Sequence, residues 1–289
     1  MTEKKNIVVR AAKWAASRLP APVKGWLYKI PFASGLIRRA LNASLPHGIH
    51  EVEIAGGILS GMRMALDLQR EKDYWLGTYE PGLEDAARRF IYPGMTVFDV
   101  GANIGYISLM AAKLAGESGK VYAFEALPEN AARLRENIRL NQLSERIRVF
   151  EGAVAGNSGK TSFLVHESGA MGKAAGSAGR DDAYSRTLEV PSVSLDDFVY
   201  KMRNPVPDVI KMDIEGGEGQ ALNGMRRLLS ESAPVLLIEL HGKEAARQVW
   251  TILEEAGYMV YKMSRNFPPV QGLDELDWKA YVVVVKRKQ

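Results

Sequence analysis

The sequence predicts an α/β protein with one doubly wound sheet of seven strands, preceded by an N-terminal helical arm and a small β-hairpin. From about residue 80 onward, short apolar runs alternate with amphipathic stretches, a pattern typical of a parallel sheet with helices on both faces. The run TVFDVGANIGY at Thr96–Tyr106 predicts a strand, a tight glycine turn and a helix start. We therefore divide the 289 residues into an arm (1–49), a hairpin with connector (50–80) and a sheet domain (81–289).

The arm carries most of the positive charge. Residues 1–50 hold nine basic residues and one acid, a balance of +8, whereas the remaining 29 basic and 33 acidic residues give −4. Basic, apolar and aromatic residues recur at helical spacing in 6–19 and 24–41, which suits an anionic membrane surface. The alternatives are an arm packed on the body or on a second subunit of a homo-oligomer, or an arm that binds nucleic acid.

Composition narrows the class of protein. No apolar run approaches the length that spans a bilayer, and cations interrupt the N-terminal apolar stretches, unlike a cleavable secretory signal. The absence of cysteine excludes disulfides, thiolate catalysis and cysteine-ligated zinc, and it fits a reducing compartment. We expect a cytoplasmic protein, peripheral on the inner membrane surface if the arm binds lipid.

The elements follow in order along the chain. Alternating apolar residues around Gly56-Gly57 predict a hairpin within 50–68. Helical periodicity, with Pro128 suited to a helix start, predicts helices at 82–91, 104–115, 128–141, 217–230 and 243–256. Apolar runs predict the strands at 96–100, 120–125, 147–151, 208–213, 234–240, 257–263 and 279–286.

The segment Ser168–Ala183 is rich in Gly, Ala and Ser, and it predicts a mobile loop because it can bury little apolar surface. It lies between β-like runs at 161–166 and 187–193. It could close over a substrate, or it could be a tolerated surface insertion.

The glycine turn indicates a nucleotide-like ligand. Its spacing, Asp-x-Gly-x-Asn-x-Gly from Asp99 to Gly105, differs from the Gly-x-Gly-x-x-Gly of dinucleotide folds. A side chain at Gly101 or Gly105 would hold the ligand away from the backbone and disfavour a positive φ. Glu125 ends the next strand, where a carboxylate can accept hydrogen bonds from ribose hydroxyls. We therefore expect a Rossmann-like sheet that binds S-adenosylmethionine rather than NAD, the alternative being a plain strand–helix connection.

Acids and a histidine end the fourth and fifth strands. A doubly wound sheet puts the fourth strand beside the first, so Asp213 would face the cleft next to the glycine turn, near the ammonium of the methionine part or the transferred methyl. The two-residue period of a strand puts Glu239 and His241 on one face, and likewise Asp213 and Glu215. We expect Asp213, Glu215 and His241 to be catalytic, with His241 accepting a hydroxyl proton because its ordinary pKa lies near neutrality.

The same groups allow other roles. Asp213, Glu239 and His241 could hold a hard divalent metal that binds the substrate oxygen and lowers its pKa, although no spacing demands a metal. His241 could instead cap a helix or be a hydrogen-bonded core residue, and Glu239 could be a buried carboxylate that fixes a neighbouring loop. Methyl transfer itself requires little beyond alignment and proton removal, since a sulfonium is an activated donor.

Several motifs occur in order between about Asp73 and Leu240. They are GTYE at 77–80, Pro93-Gly94, VFDVGANIG at 97–105, Phe124-Glu125, LRENIRLNQL at 134–143, SLDD at 194–197 and IKMDIEGGE at 210–218. Through them the chain resembles the FkbM-type family of S-adenosylmethionine-dependent methyltransferases. The resemblance implies O-methylation of a sugar, polyketide or glycolipid-like acceptor, so that the partner would be a small-molecule, glycan or lipid-linked acceptor. By similarity, the cofactor-binding residues would be Tyr79, Glu80, Asp99, Gly101, Ala102, Asn103, Gly105, Glu125, Ala126 and Asp213.

Two other functions compete with this interpretation. The basic arm favours an RNA or DNA methyltransferase, but base-amine methyltransferases usually carry an Asn/Asp-Pro-Pro-aromatic tetrad after the fourth strand. Here that place reads Asp213-Ile-Glu-Gly, and Asn266-Phe-Pro-Pro follows the sixth strand instead. We therefore do not expect a nucleic-acid partner. A non-catalytic membrane-surface module would have no physical reason to keep the bare turn and the exposed carboxylates.

Overall fold

The computed structural model describes residues 47–167, 171–178 and 184–287. The predicted arm, apart from its last three residues, lies outside these ranges. Among the described residues, no helix combines the length and the apolar character needed to cross a membrane. The chain divides into two units: the described part of the first comprises residues 47–81 and Arg139–Asn141, and the second comprises the rest.

The first unit contains the predicted hairpin. Strands β1 (Ile49–Glu53) and β2 (Arg63–Asp67) pair antiparallel, which confirms it. A short helix that we did not predict, α1 (Lys72–Leu76), follows. Asn141 joins this unit because its side-chain amide bonds both backbone groups of Arg63: Nδ2 donates to the carbonyl at 2.7 Å, and the Arg63 N–H donates to Oδ1 at 3.0 Å.

The second unit has six α-helices and eleven strands among its described residues. The helices are α2 (Pro81–Phe90), α3 (Tyr106–Ala115), α4 (Pro128–Leu140), α5 (Glu218–Asn223), α6 (Arg226–Glu231) and α7 (Lys243–Glu255), of which α2 and α4 each extend by their end residues into the first unit. The strands are β3 (Thr96–Val100), β4 (Lys120–Glu125), β5 (Ile147–Glu151), β6 (Ala153–Val154), β7 (Gly159–His166), β8 (Gly172–Ala174), β9 (Tyr184–Val193), β10 (Val209–Met212), β11 (Val235–His241), β12 (Tyr258–Lys262) and β13 (Lys279–Lys286).

Seven of these strands form the predicted sheet, in the order β12-β13-β11-β10-β3-β4-β5. Strands β10 and β11 pair in parallel with each other, and so do β10 with β3, β3 with β4, and β4 with β5. Strand β13 runs antiparallel to both β11 and β12. This topology confirms the doubly wound α/β fold, with β10 beside β3 as expected. Consequently the ends of β3, β4, β10 and β11 and the start of β13 share one edge of the sheet.

Two predicted segments of the second unit have a structure other than the one assigned from the sequence. The helix predicted at 217–230 is two helices, because Asp196 from the SLDD motif caps α6 by accepting the N–H groups of Arg227 and Leu228, each at 2.9 Å. The segment 168–183, predicted as a mobile loop, contains β8, which pairs with β7 in a second sheet ordered β6-β9-β7-β8. Backbone pairing explains this difference, since a ladder of N–H and C=O groups needs no large apolar side chains.

Aromatic rings fill the core beneath the sheet. Phe198 lies in a single π-helical turn at Asp197–Lys201. Its ring lies 4.9 Å from that of Phe124 and 5.6 Å from that of Phe98, both in edge-on contact. Both of these phenylalanines belong to strands that end at the glycine turn and at Glu125, so the packing of the core fixes the strand ends that carry the site.

Candidate active site

The glycine turn after β3 has the left-handed backbone that its sequence predicted. Gly101, Asn103 and Gly105 have φ values of 78°, 50° and 94°. A Cβ at Gly101 would lie 1.9 Å from the carbonyl oxygen of Asp213, and one at Gly105 would lie 2.5 Å from Cδ1 of Leu134. The close approach that requires glycine is therefore made by the protein itself and not, as expected from the sequence, by the ligand. Two neighbouring N–H groups, of Gly101 and Ala102, donate to the carbonyl of Phe124 and tie the turn to β4.

Glu125 ends β4 and lies directly beside the turn. Its carboxylate accepts the N–H groups of Asn103 at 2.7 Å and Leu127 at 2.9 Å. Ala126, the residue after Glu125, is buried. Burial raises the pKa of Glu125, and the hydrogen bonds from Leu127, Asn103 and Asn130 oppose that rise. A carboxylate has about four acceptor positions, so at least one remains for a ligand hydroxyl.

Asp99 is fully buried, and it lies next to Lys211, a residue that was not expected from the sequence to be part of the site. One carboxylate oxygen accepts the Ser108 hydroxyl at 2.5 Å, and the other, Oδ1, makes no hydrogen bond within the described residues. Lys211 Nζ lies 3.5 Å from that Oδ1. The same ammonium donates to the Gly101 carbonyl at 2.9 Å and lies 4.0 Å from Asp213 Oδ2. Lys211 thus connects Asp99, the glycine turn and the first acid of the cluster.

The structure brings the four predicted polar groups together around His241. Its Nε2 lies 2.9 Å from Glu239, 3.7 Å from Glu215 and 3.8 Å from Asp213. The side chains differ in access: Asp213 and Glu215 are 22% and 25% exposed, whereas His241 is 1% exposed and Glu239 5%. The two outer carboxylates are therefore the groups that a substrate can reach.

Two further charged residues hold this cluster. Glu218 is fully buried, with Oε1 3.3 Å from His241 Nδ1, and the same oxygen accepts the N–H groups of Ile214 and Gly216. Lys279, opposite His241 in the β11–β13 ladder, pairs with Glu239. Glu218 could have been suspected from the IKMDIEGGE motif, which it ends. Lys279 leaves no signal in the sequence because its place depends on strand pairing.

The surroundings of His241 change its chemistry. Burial lowers its pKa, but hydrogen bonds with Glu218 and Glu239 and the charge of Asp213 outweigh burial and raise the pKa to about 10. The imidazole therefore already carries its second proton near neutral pH. This corrects the premise that His241 accepts a proton because its ordinary pKa lies in range. Burial raises the pKa of Glu239, but its hydrogen bonds with His241 and Lys279 outweigh burial, and the pKa is lowered.

Tyr79 and Glu80 belong to the first unit. The Tyr79 ring contacts that of Tyr74 edge-on, with centroids 4.5 Å apart, and Glu80 has a left-handed φ of 42°. The contact of these two residues with a cofactor stays a prediction.

Comparison with known proteins identifies the family. The family model described as the methyltransferase FkbM domain matches residues 99–260, more than half of the chain. A hexuronic acid methyltransferase, AglP of Haloferax volcanii, is 26% identical over 201 residues, which cover 68% of this chain and 79% of that protein. A protein-L-isoaspartate O-methyltransferase of Methanococcoides burtonii is 44% identical over 48 residues, 17% of this chain and 24% of the relative.

Similar solved structures include an FkbM methyltransferase from Methylobacillus flagellatus, with 20% identity and a TM-score of 0.44. That alignment covers 76% of this chain and 56% of the other. An S-adenosylmethionine-dependent O-methyltransferase from Thermotoga maritima has 16% identity and a TM-score of 0.43, with 89% of this chain and 83% of the other covered.

The residues at the sheet edge fit the cofactor of this family. The glycine turn has left-handed backbone at Gly101, Asn103 and Gly105, and a buried acid ends the neighbouring strand. Two residues before the turn, Oδ1 of the buried Asp99 makes no hydrogen bond within the described residues. An acid at this position can accept a ribose hydroxyl, and the carboxyl edge of a parallel sheet is where such folds bind nucleotide-like ligands. The chain belongs to the FkbM methyltransferase domain family and is an S-adenosylmethionine-dependent methyltransferase.

Proposed function

We propose that the chain is an O-methyltransferase that acts on a hydroxyl of a sugar, glycolipid, lipid-linked or natural-product acceptor. The observation that carries the proposal is the pair of reachable carboxylates, Asp213 and Glu215, at the end of the strand beside the glycine turn. The name of the Haloferax volcanii relative, a hexuronic acid methyltransferase, agrees with a sugar acceptor. A hydroxyl acceptor needs a hydrogen-bond acceptor at the point of transfer, and both carboxylates can provide one.

The cofactor would be held by the glycine turn and by the residues that flank it. We assign Glu125 to the ribose, and the backbone of Gly101, Ala102, Asn103 and Gly105 to the remainder of the nucleoside end. The predicted set also includes Asp99, Ala126, Tyr79 and Glu80, with Asp213 at the methyl end. When bound, S-adenosylmethionine supplies an activated methyl group on a sulfonium centre.

The chain's own contribution is alignment and proton acceptance. Asp213 and Glu215 would accept the hydrogen bond of the acceptor hydroxyl and thereby orient its oxygen in line with the methyl group. As the hydroxyl loses its proton, one of these carboxylates receives it. The His241 imidazolium holds both carboxylates, because its Nε2 lies 3.8 Å from Asp213 and 3.7 Å from Glu215. Glu218 and Glu239 in turn hold the imidazolium, and Lys279 pairs with Glu239.

A divalent metal is a second proposal for activating the hydroxyl. Asp213, Glu239 and His241 each carry one potential ligand atom, and these atoms lie within 4.8 Å of one another. Because His241 is an imidazolium near neutral pH, the metal would have to displace one of its two ring protons in order to bind. Magnesium or manganese there would bind the acceptor oxygen and lower its pKa. The proposal predicts loss of activity after exhaustive chelation and recovery on adding back either metal. Unchanged activity in the chelated enzyme would remove the metal.

The test of the proposed function is an acceptor comparison. Purified enzyme with labelled S-adenosylmethionine is offered a uronic acid glycoside, a neutral pyranoside, a polyprenyl-linked sugar and transfer RNA, and formation of S-adenosylhomocysteine is measured. We expect turnover with at least one sugar-bearing acceptor and an alkali-stable methyl ether in the product. Turnover with RNA alone would establish the nucleic-acid alternative. Cofactor binding without turnover on any acceptor or cell extract would favour the non-catalytic module.

We also propose that the chain is cytoplasmic and that residues 1–45 hold it peripherally at the inner membrane surface. The support is the sequence alone: nine cations and one acid at 1–50, interspersed with aromatic residues. Attachment there would place the site near lipid-linked acceptors.

A further inference from the structure

A partly exposed tryptophan lies at the edge of the sheet that carries the acid–histidine cluster. Trp278 directly precedes β13, and because β13 runs antiparallel to β11, its start lies where β11 ends. The Gly242 N–H donates to the Trp278 carbonyl at 2.7 Å, which fixes the backbone there. The Trp278 and His241 rings are 6.5 Å apart with an interplanar angle of 81°. Trp278 nevertheless remains 45% exposed, an unusual state for the largest apolar side chain.

The turn after β8 lies close to this tryptophan. The position that a Cβ would take at Gly242 is 3.6 Å from both the Ala178 carbonyl oxygen and Nε1 of Trp278. The Ala178 N–H donates at 3.0 Å to the Gly216 carbonyl, in the loop that carries Glu215. Next to it, the Ser177 hydroxyl oxygen is buried and makes no hydrogen bond within the described residues. The turn therefore adds an unsatisfied polar group to the surroundings of the acids.

Together these groups combine a flat apolar surface with hydrogen-bond acceptors. We propose that Trp278, with Asp213 and Glu215, forms an acceptor subsite for a pyranose ring: the C–H face of the sugar lies on the indole, and its hydroxyls donate to the carboxylates. This inference rests on the proposed function. It identifies Trp278, which lies outside the family motifs, as the residue that binds the sugar ring of the acceptor. Trp278 acts here as a specificity-determining residue.

Charge favours a sugar over a nucleic-acid chain at this subsite. Five carboxylates, Asp99, Asp213, Glu215, Glu218 and Glu239, face three cations, Lys211, His241 and Lys279. Asp277 adds a further acid next to the tryptophan. A polyphosphate backbone would be repelled by this excess. Lys279, whose side chain is 40% exposed, is a cation that the carboxylate of a uronic acid could reach.

The test compares Trp278→Phe and Trp278→Ala with a matched control, Tyr92→Ala. Tyr92 is 47% exposed, much like Trp278, but it precedes β3 and thus lies at the opposite edge of the sheet. With the protein saturated in S-adenosylhomocysteine, methyl β-D-glucopyranoside and methyl β-D-glucuronide are titrated while tryptophan fluorescence is recorded. We expect the sugar to quench the tryptophan fluorescence of the wild type and of Tyr92→Ala, but not that of Trp278→Phe. Comparing the glucoside with the glucuronide shows whether the subsite prefers a neutral or an acidic ring.

Turnover provides the second readout. Trp278→Ala should raise the KM for the pyranoside by about tenfold or more, with kcat and the Kd for S-adenosylhomocysteine within about twofold of wild type, and Trp278→Phe should restore most of the lost affinity. Quenching of equal size in wild type and Trp278→Phe, or in neither, would overturn the subsite, as would an unchanged KM. Trp278-dependent binding without methyl transfer would instead count against the proposed function and leave the subsite intact.

Discussion

Lys211 is a buried charge within an otherwise apolar strand. The sequence VIKM suggested only a core strand, but the ammonium lies against Asp99, the Gly101 carbonyl and Asp213. Removing one partner of a buried ion pair leaves an uncompensated charge, which is far more costly than losing an exposed pair. Lys211 therefore contributes to the stability of the strand ends and to the geometry of the turn.

We predict that Lys211→Met lowers the free energy of unfolding by about 3–5 kcal/mol, because the Asp99 carboxylate then stays buried without its cation. Urea unfolding followed by circular dichroism measures this loss. The control is Lys160→Met, whose partner Glu189 is in an exposed pair, and which we expect to leave the unfolding curve unchanged. Equal effects of the two substitutions would show that Lys211 has no special structural role.

Glu215 provides the sharpest residue-scale test of the chemistry. Glu215→Gln keeps the size of the side chain but removes its capacity to accept a proton, so kcat should fall by about 100-fold or more while the Kd for S-adenosylmethionine hardly changes. Steady-state kinetics and calorimetry measure the two quantities. Glu151→Gln, at the end of β5 and paired with Arg135, is the matched control and should be near wild type. A normal kcat in Glu215→Gln would exclude Glu215 from proton transfer.

At the scale of elements, the glycine turn joins two strands that are far apart in sequence. Gly101 follows β3, and its missing side chain makes room for the backbone of Asp213 at the end of β10. The turn that would hold the cofactor and the acid that would face the methyl group are thus packed against each other. A change in one must displace the other.

Gly101→Ala should therefore disturb both stability and cofactor binding. The left-handed φ alone costs about 1–2 kcal/mol for a residue with a Cβ, and the clash with the Asp213 carbonyl adds to it. We expect the Kd for S-adenosylmethionine to rise at least about tenfold in calorimetry. Gly257→Ala is the control, since Gly257 also has a positive φ, 72°, but has no atom within 4 Å of the added Cβ. If both substitutions leave the Kd unchanged, the turn does not hold the cofactor.

At the scale of the whole molecule, charge separates the arm from the remainder. Residues 1–50 have a balance of +8 and the rest −4, so any attraction to an anionic surface comes from the arm. The proposed acceptor site in the second unit is rich in carboxylates instead. The two regions therefore call for separate assays.

We predict that the full chain floats with vesicles containing anionic lipid, that deletion of residues 1–45 abolishes flotation, and that high salt weakens it, because screening reduces the attraction between the cations and the lipid. Vesicles of neutral lipid are the control. Equal recovery of both forms would rule out the anchor. A change in oligomeric state on deletion, measured by sedimentation, would instead support an arm that packs on a second subunit.

The sequence alone determined the seven-stranded sheet and most of the candidate site. Strand boundaries such as 96–100 and 120–125 were predicted as observed, because apolar runs and glycine turns are local signals. The convergence of four polar groups was also predicted; they are Asp213, Glu215, Glu239 and His241. This prediction required only the local strand patterns, the two-residue period of a strand and the rule for strand order in a doubly wound sheet.

Only the tertiary structure decided how these groups behave. The raised pKa of His241 depends on Glu218 and Asp213, the role of Lys211 on Asp99 and Gly101, and the exposed position of Trp278 on the antiparallel pairing of β13. In the same way, β8 exists because it pairs with β7 rather than because of its own composition. Such properties arise from contacts between residues that are distant in the chain, and electrostatic and packing energies depend on those distances rather than on sequence spacing.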